Sequence, residues 1–269
     1  MRRTLTAACL TACLASTVHA QSRATYRVTF DSTWSEATHP VDFPRNPHFS
    51  PLVGATHAEP GLIWQAGELA SPGMEVMAET GSTSLLLFEI SQMATDGMIG
   101  IDIVGGPIRL SPGSVSLTFE TSSEFPLLTL VTMIAPSPDW YVGTQGLDLR
   151  DDGGWRQNIV FDLWPYDSGT DSGTTYTSPN MDTNPAEPIR QIADEFPFTG
   201  TPALGTYTIE LLSVECAAEL DGDGELTIFD FLEFQNLFDA GDPRADFDGD
   251  GSLTIFDFLA YQNAFADGC

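Results

Sequence analysis

The sequence predicts a mainly β protein, an antiparallel β-sandwich followed by a small α-helical module that carries two acidic loops. Three observations lead there. Residues 24–215 hold many short runs of β-branched and aromatic residues, divided by clusters of Pro, Gly, Asn, Asp and Ser. So many short strands in so short a stretch fit two packed sheets rather than an alternating β/α architecture. From Cys216 the texture changes, for residues 217–269 contain thirteen acids, one base (Arg244) and one segment used twice.

The chain has 269 residues and a formal charge of −28. Met1-Arg2-Arg3 is a basic start, Thr4–Ser16 an uncharged apolar run, and Val18-His19-Ala20 a small-x-small cleavage pattern. Residues 1–20 therefore read as a signal peptide, and the mature chain is expected to begin at Gln21. The apolar run is shorter than the roughly 20 residues a membrane span needs, and no later stretch is apolar enough. Leu10-Thr11-Ala12-Cys13 also fits a lipoprotein box, which would instead leave a lipidated Cys13. The expected location is secreted, extracellular or at the cell surface. The expected divisions are 1–20 for the leader, 21–215 for the β domain and 216–269 for the tail.

Loss of Arg2 and Arg3 takes the charge from −28 to −30, since residues 1–20 contain no acid. Every base is Arg. Such a chain repels nucleic acid and anionic lipid, which excludes both as partners. Scattered acids make a solubilising surface; acids at ligand spacing call for cations.

Within the first part, the strand expectations are Ala24–Phe30, Met98–Val104, Ser114–Glu120, Leu127–Ile134, Asn158–Leu163 and Thr206–Val214. Gly73–Gly81 reads as one short helix. Thr38–Pro60 and Tyr166–Pro188 read as irregular and too long for hairpin turns, a length usually functional or pinned by a ligand. His39, His48 and His57 lack a Cys or a close His partner, so they read as polar loop anchors rather than zinc ligands. The tryptophans read as core and loop packing rather than sugar platforms.

Several segments resemble the spondin domain of extracellular matrix proteins. They are Tyr26–Phe30 (YRVTF), Trp34, Thr38-His39-Pro40, Asp42-Phe43-Pro44, His48–His57 (HFSPLVGATH), Met133–Gly143 (MIAPSPDWYVG), Asp162–Gly173 (DLWPYDSGTDSG) and Ser178-Pro179-Asn180. The resemblance runs from about Ala24 to Ile192. It implies a β-sandwich with one calcium ion at one end, held by Asp139 of the PSPDW run and by Asp167 and Asp171 of the YDSGTD run. Three carboxylates from two loops suit a hard cation. Read alone, Asp167 and Asp171 are turn residues. Tyr166 stands where the family commonly has Trp.

The tail repeats Glu219–Phe238 as Asp246–Phe265, 27 residues on, with fourteen of twenty positions identical. Each copy has the twelve-residue plan of an EF-hand calcium loop, with oxygen ligands at positions 1, 3, 5, 7, 9 and 12 and Gly at position 6. The first loop offers Glu219, Asp221, Asp223, the Glu225 carbonyl, Thr227 and Asp230, with Gly224 at the bend. The second offers Asp246, Asp248, Asp250, the Ser252 carbonyl, Thr254 and Asp257, with Gly251 at the bend. Two calcium ions are expected here. Helices are expected at Phe229–Leu237 and Phe256–Ala264, where Ile228, Phe231, Leu232 and Phe238, and their repeats Ile255, Phe258, Leu259 and Phe265, recur at helical spacing.

This segment resembles the type I dockerin, through the DGDG and LTIFDF runs. That resemblance implies docking to a cohesin domain on a polysaccharide-degrading scaffold. The family often has Ser-Thr at positions 10 and 11, where this chain has Ile228-Phe229 and Ile255-Phe256; these are either a duplicated docking face or filling for the small core. Cys9 and Cys13 leave with the leader, so Cys216 and Cys269 are expected to pair as a disulfide closing the tail, worth about 4 kcal/mol by chain entropy.

No nucleophile elbow or His-based zinc motif is present, so catalysis is not expected. The sequence points to a secreted calcium-binding adhesion or interaction protein, with a protein or matrix ligand at the sandwich loops. The alternative is an accessory component of an extracellular polysaccharide-degrading assembly, recruited through a cohesin-like receptor.

Overall fold

The structure, a computed structural model, describes residues 22–151, 154–223 and 225–268. In chain order the first strands are β1 (Arg23–Ser32), β2 (His48–Phe49) and β3 (Val53–His57). Two helices follow, α1 (Pro72–Thr80) and α2 (Ser84–Thr95). Then come β4 (Ile99–Val104), β5 (Gly113–Ser122), β6 (Leu127–Ala135), β7 (Trp140–Gly143) and β8 (Leu147–Asp148). The remaining strands are β9 (Arg150–Asp151), β10 (Gly154–Trp155), β11 (Asn158–Asp162), β12 (Tyr166–Asp167), β13 (Arg190–Gln191) and β14 (Gly205–Glu215). The tail adds α3 (Ile228–Ala240), a 3₁₀ turn at Pro243–Ala245, and α4 (Ile255–Asp267). The chain divides into two compact units, Gln21–Cys216 and Ala217–Gly268.

β1 buries Ala24, Tyr26, Val28 and Phe30 in strict alternation, the period-two pattern of a strand with one face inward. It runs antiparallel between β5 and β14, giving a sheet of order β11-β14-β1-β5. The second sheet runs β13-β12-β7-β6-β3-β4, with β2 and β8 also on β6. One hydrophobic cluster draws from both sheets, including Tyr26, Phe30, Leu130, Ile134, Tyr207 and Ile209. A second cluster lines the opposite face of the β6 sheet, where Val53, Val131 and Tyr141 meet Met74 and Met77 of α1 and Leu86 and Ile90 of α2. β6 is thus buried along all nine residues, which explains its unbroken apolar run LLTLVTMIA.

The predicted strands coincide with β1, β4, β5, β6, β11 and β14, and the predicted helix with α1. Ser71 caps α1, Pro72 opens it and Gly81 closes it in the left-handed region. Several elements were not expected, and β3 and α2 are the longest of them. β3 lies inside the stretch read as irregular, and Gly54 is the reason: a Cβ there would sit 1.9 Å from the Thr129 carbonyl oxygen of β6. The close approach of the two backbones demands glycine and strips the segment of its strand signature. α2 was not expected, because its SLLLF start reads equally as a buried strand.

In the tail, Phe234 and Tyr261 stack at 4.2 Å between ring centres, and Phe231 meets Phe258 edge-on at 5.6 Å. The Tyr261 hydroxyl donates to the Ala218 carbonyl at 3.1 Å. The core face is therefore Phe231, Phe234 and Leu237 against Phe258, Tyr261 and Ala264. Ile228, Leu232, Ile255 and Leu259, which recur at helical spacing with Phe231 and Phe258, are exposed. Cys216 is the one cysteine among the described residues, and Cys269, its expected disulfide partner, lies outside them. The leader and Cys13 likewise lie outside the described residues. Among those described, no helix is long and apolar enough to cross a membrane.

Candidate metal centres

In the β domain, pairing of β12 with β7 sets Asp167 opposite Trp140, next in sequence to Asp139. Asp139 is fully buried. Its Oδ2 accepts from the Thr170 amide at 2.8 Å, the Asp171 amide at 3.1 Å and the Ser168 hydroxyl at 3.2 Å. Its Oδ1 is buried with no hydrogen-bond partner, an arrangement that costs about 1–3 kcal/mol when nothing answers it. Asp167 Oδ1 accepts from the Gly169 amide at 2.8 Å, and Oδ2 from Arg190 Nη2 at 3.2 Å. Asp171 accepts from the amides of Gly173 at 2.7 Å and Met181 at 2.9 Å. Gly169 permits the turn between them, for its φ is +75° and a Cβ would lie 2.1 Å from the Glu187 carbonyl oxygen.

Burial raises the Asp139 carboxyl above its usual range, and the three donors offset only part of that. Burial, then the charge of Asp139, pushes Asp167 up to about 6, against the pull of Arg190. Glu79 of α1 is raised too, by burial first, with Glu75, Asp171 and Asp139 adding to it and a hydrogen bond from the Thr170 side chain opposing. These acids are short of positive charge. A hard cation would reverse the balance and give Asp139 Oδ1 a partner.

The tail gathers acids more tightly. Among the described residues, the two sets whose carboxylate oxygens all lie within 4.8 Å of one another are Glu219, Asp221, Asp223 and Asp246, Asp248, Asp250. Asp246 Oδ1 is buried and without a hydrogen-bond partner. Asp221 and Asp223, like Asp248 and Asp250, bend the loop by accepting from amides two residues on. Gly251 takes a φ of +82°, while Gly224 lies outside the described residues. The residues expected at positions 9 and 12 are drawn into helix capping. Thr227 and Asp230 form a capping box for α3, and Thr254 and Asp257 form one for α4. Buried Asp230 accepts from the amides of Leu220, Asp221 and Thr227, and Asp257 from those of Asp248 and Thr254. Burial would raise both carboxyls, but these amides outweigh it and hold them below the usual range. Each carboxylate keeps lone pairs beyond those bonds. Glu225 and Ser252, expected to ligate through their carbonyls, are exposed on the same loops.

Ile228, Phe229 and Leu232 are 61, 62 and 47 % exposed, and their repeats Ile255, Phe256 and Leu259 are 63, 64 and 48 % exposed. The core-filling alternative for these residues therefore falls. The three histidines form no cluster. His39 bonds Thr38 and the Pro202 carbonyl, His48 the Asn46 carbonyl, and His57 the Glu59 carbonyl and the Thr129 hydroxyl.

The Spondin_N family model matches residues 24–207. Spondin-1 of Gallus gallus is 41 % identical over 175 residues, covering 63 % of this chain and 22 % of that protein. Spondin-1 of Homo sapiens is 40 % identical over the same length. Spondin-2 of Rattus norvegicus is 34 % identical over 205 residues, covering 75 % of this chain and 62 % of that protein. The chain thus spans about a fifth of the Spondin-1 relatives, and the family match ends before the acidic tail.

Proposed function

Since this chain belongs to the spondin family through residues 24–207, we propose that it is a secreted calcium-binding adhesion or interaction protein. The family is a non-catalytic adhesion module, in line with the expectation that the chain is not an enzyme. In this reading the two sheets pack face to face as a sandwich. One calcium ion at its end orders the loops of Asp139, Asp167 and Asp171, and those loops present the surface for a protein or matrix ligand. The observation that carries it is the fully buried Asp139, whose Oδ1 has no partner inside a loop cluster crowded with acids. Two more calcium ions belong to the tail loops, held by Glu219, Asp221, Asp223, Glu225, Thr227 and Asp230, and by Asp246, Asp248, Asp250, Ser252, Thr254 and Asp257.

Calorimetry on the full chain carrying Asp221→Ala and Asp248→Ala tests the domain site. One calcium ion should still bind, and Asp139→Asn should remove it while the cooperative unfolding transition persists. An ion bound as tightly after Asp139→Asn as before would overturn the reading.

A second reading makes the chain an accessory component of a polysaccharide-degrading assembly. The matched exposure of the Ile228-Phe229 and Ile255-Phe256 pairs favours it, because exposed apolar pairs repeated on both helices suit a docking face. The calcium-loaded full chain should then capture a cohesin-bearing scaffold, and Phe229→Asp with Phe256→Asp should abolish capture. No capture by the unmodified chain would end this reading.

A further inference from the structure

We infer that a cleft of the β domain, lined by Arg109 and His48, binds a hydroxycarboxylate, with Arg109 taking the carboxylate and His48 accepting from the hydroxyl. The cleft shares no residue with the acid cluster of Asp139, Asp167 and Asp171, and it does not depend on the calcium reading.

Backbone pairing sets the two side chains side by side. β2 lies between β6, where His48 opposes Ala135, and the segment at Ile108, whose carbonyl accepts from the Phe49 amide at 2.9 Å. That antiparallel bridge makes Arg109 the cross-strand neighbour of His48. Phe49 and Ile108 turn into the core, so the next pair, His48 and Arg109, turns outward, with Cβ atoms about 5 Å apart. Both line one cleft of about 290 Å³, near the lower end for small-ligand sites. Pro51, Pro107 and Met133 give it apolar walls, Asn46 adds a side-chain amide, and no acid lines it.

What these side chains leave open defines the ligand. The chain has 38 acids and ten bases, yet the Arg109 guanidinium has no ion-pair or hydrogen-bond partner among the described residues, whereas Arg27, Arg190 and Arg244 each hold an acid. Its planar fork matches a carboxylate through two parallel bonds. His48 Nδ1 lies 2.8 Å from the Asn46 carbonyl oxygen. A carbonyl only accepts, so Nδ1 carries the proton, and neutral His48 keeps a free lone pair on Nε2. That lone pair repels an anion but accepts from a hydroxyl. The pair therefore asks for a carboxylate with a hydroxyl close by. Charge limits the ligand further: a polyanion is repelled by the surplus of acids around the cleft, while a single carboxylate answers a single guanidinium.

The test is calorimetry on the full calcium-loaded chain with galacturonate as the probe, beside galactose, which keeps the ring and lacks the carboxylate. Galacturonate should bind and galactose should not. Arg109→Gln should weaken galacturonate binding about tenfold or more, the cost of a charge-assisted pair, and His48→Phe about fivefold. Arg109 is exposed and His48 half-buried, so the thermal midpoint of each variant should stay within about 2 °C of the parent. β1 ends at Ser32, whose hydroxyl lies 2.7 Å from that of Ser111 near the cleft, and begins at Arg23. Arg23→Gln is thus a remote change of equal charge and should leave affinity within about twofold. Lactate, a hydroxy acid without the ring, separates the two sources of this chemistry. Binding as tight as galacturonate assigns the cleft to free hydroxy acids, weaker binding assigns it to sugar acids, and either upholds the site. Silence from both probes, equal binding of galactose, unchanged affinity in Arg109→Gln, or an equal loss in Arg23→Gln would each overturn it.

Discussion

Asp221→Ala combined with Asp248→Ala is expected to take calcium binding by the tail from two ions to none and to melt both of its helices. Each substitution removes the central member of a carboxylate set whose oxygens lie within 4.8 Å of one another. Three such charges repel at that range, and the repulsion persists until a cation answers it. A module of about 50 residues buries too little apolar surface to hold itself, so metal binding supplies folding free energy. Asp230 and Asp257 couple the two processes, since each bonds loop amides while belonging to the capping box of the next helix. A loop that opens takes its helix N-terminus with it. Ion counts from calorimetry, with helical circular dichroism before and after chelation, check this; two ions still bound by the tail of the double variant would refute the loop assignment.

Trp34→Ala is expected to cost the β domain about 3–5 kcal/mol, the range for truncating a large buried aromatic. That corresponds to a fall of about 10 °C in the thermal midpoint of a domain this size. Trp34 is fully buried and meets Phe43, Phe49 and Tyr176 at 5.3–5.5 Å between ring centres. Tyr176 in turn lies 5.3 Å from Trp140, which follows Asp139, and it sits on the same long segment as Asp167 and Asp171. The aromatic cluster anchors both loops from beneath. Calcium affinity at the domain site should therefore fall along with stability, as scanning calorimetry and titration would show together. An unchanged midpoint would mean that the cluster anchors neither loop.

The sequence by itself determined what is written in short periods. Runs of β-branched and aromatic residues between turn clusters revealed β1, β5, β6 and β14, and a 27-residue repeat with acids at fixed offsets revealed the loops of Glu219, Asp221 and Asp223 and of Asp246, Asp248 and Asp250. These patterns are local, because a strand or a metal loop imposes its residue types on near neighbours. Tertiary structure decided the rest. Gly54 makes sense only against the Thr129 carbonyl, 75 residues away. Which stripe of α3 and α4 is core depended on how the helices meet, since Phe229 and Phe231 are equally apolar in sequence. Asp139 meets the Thr170 and Asp171 amides only because β12 pairs with β7. Burial and long-range approach are properties of the folded chain, and no spacing along it records them.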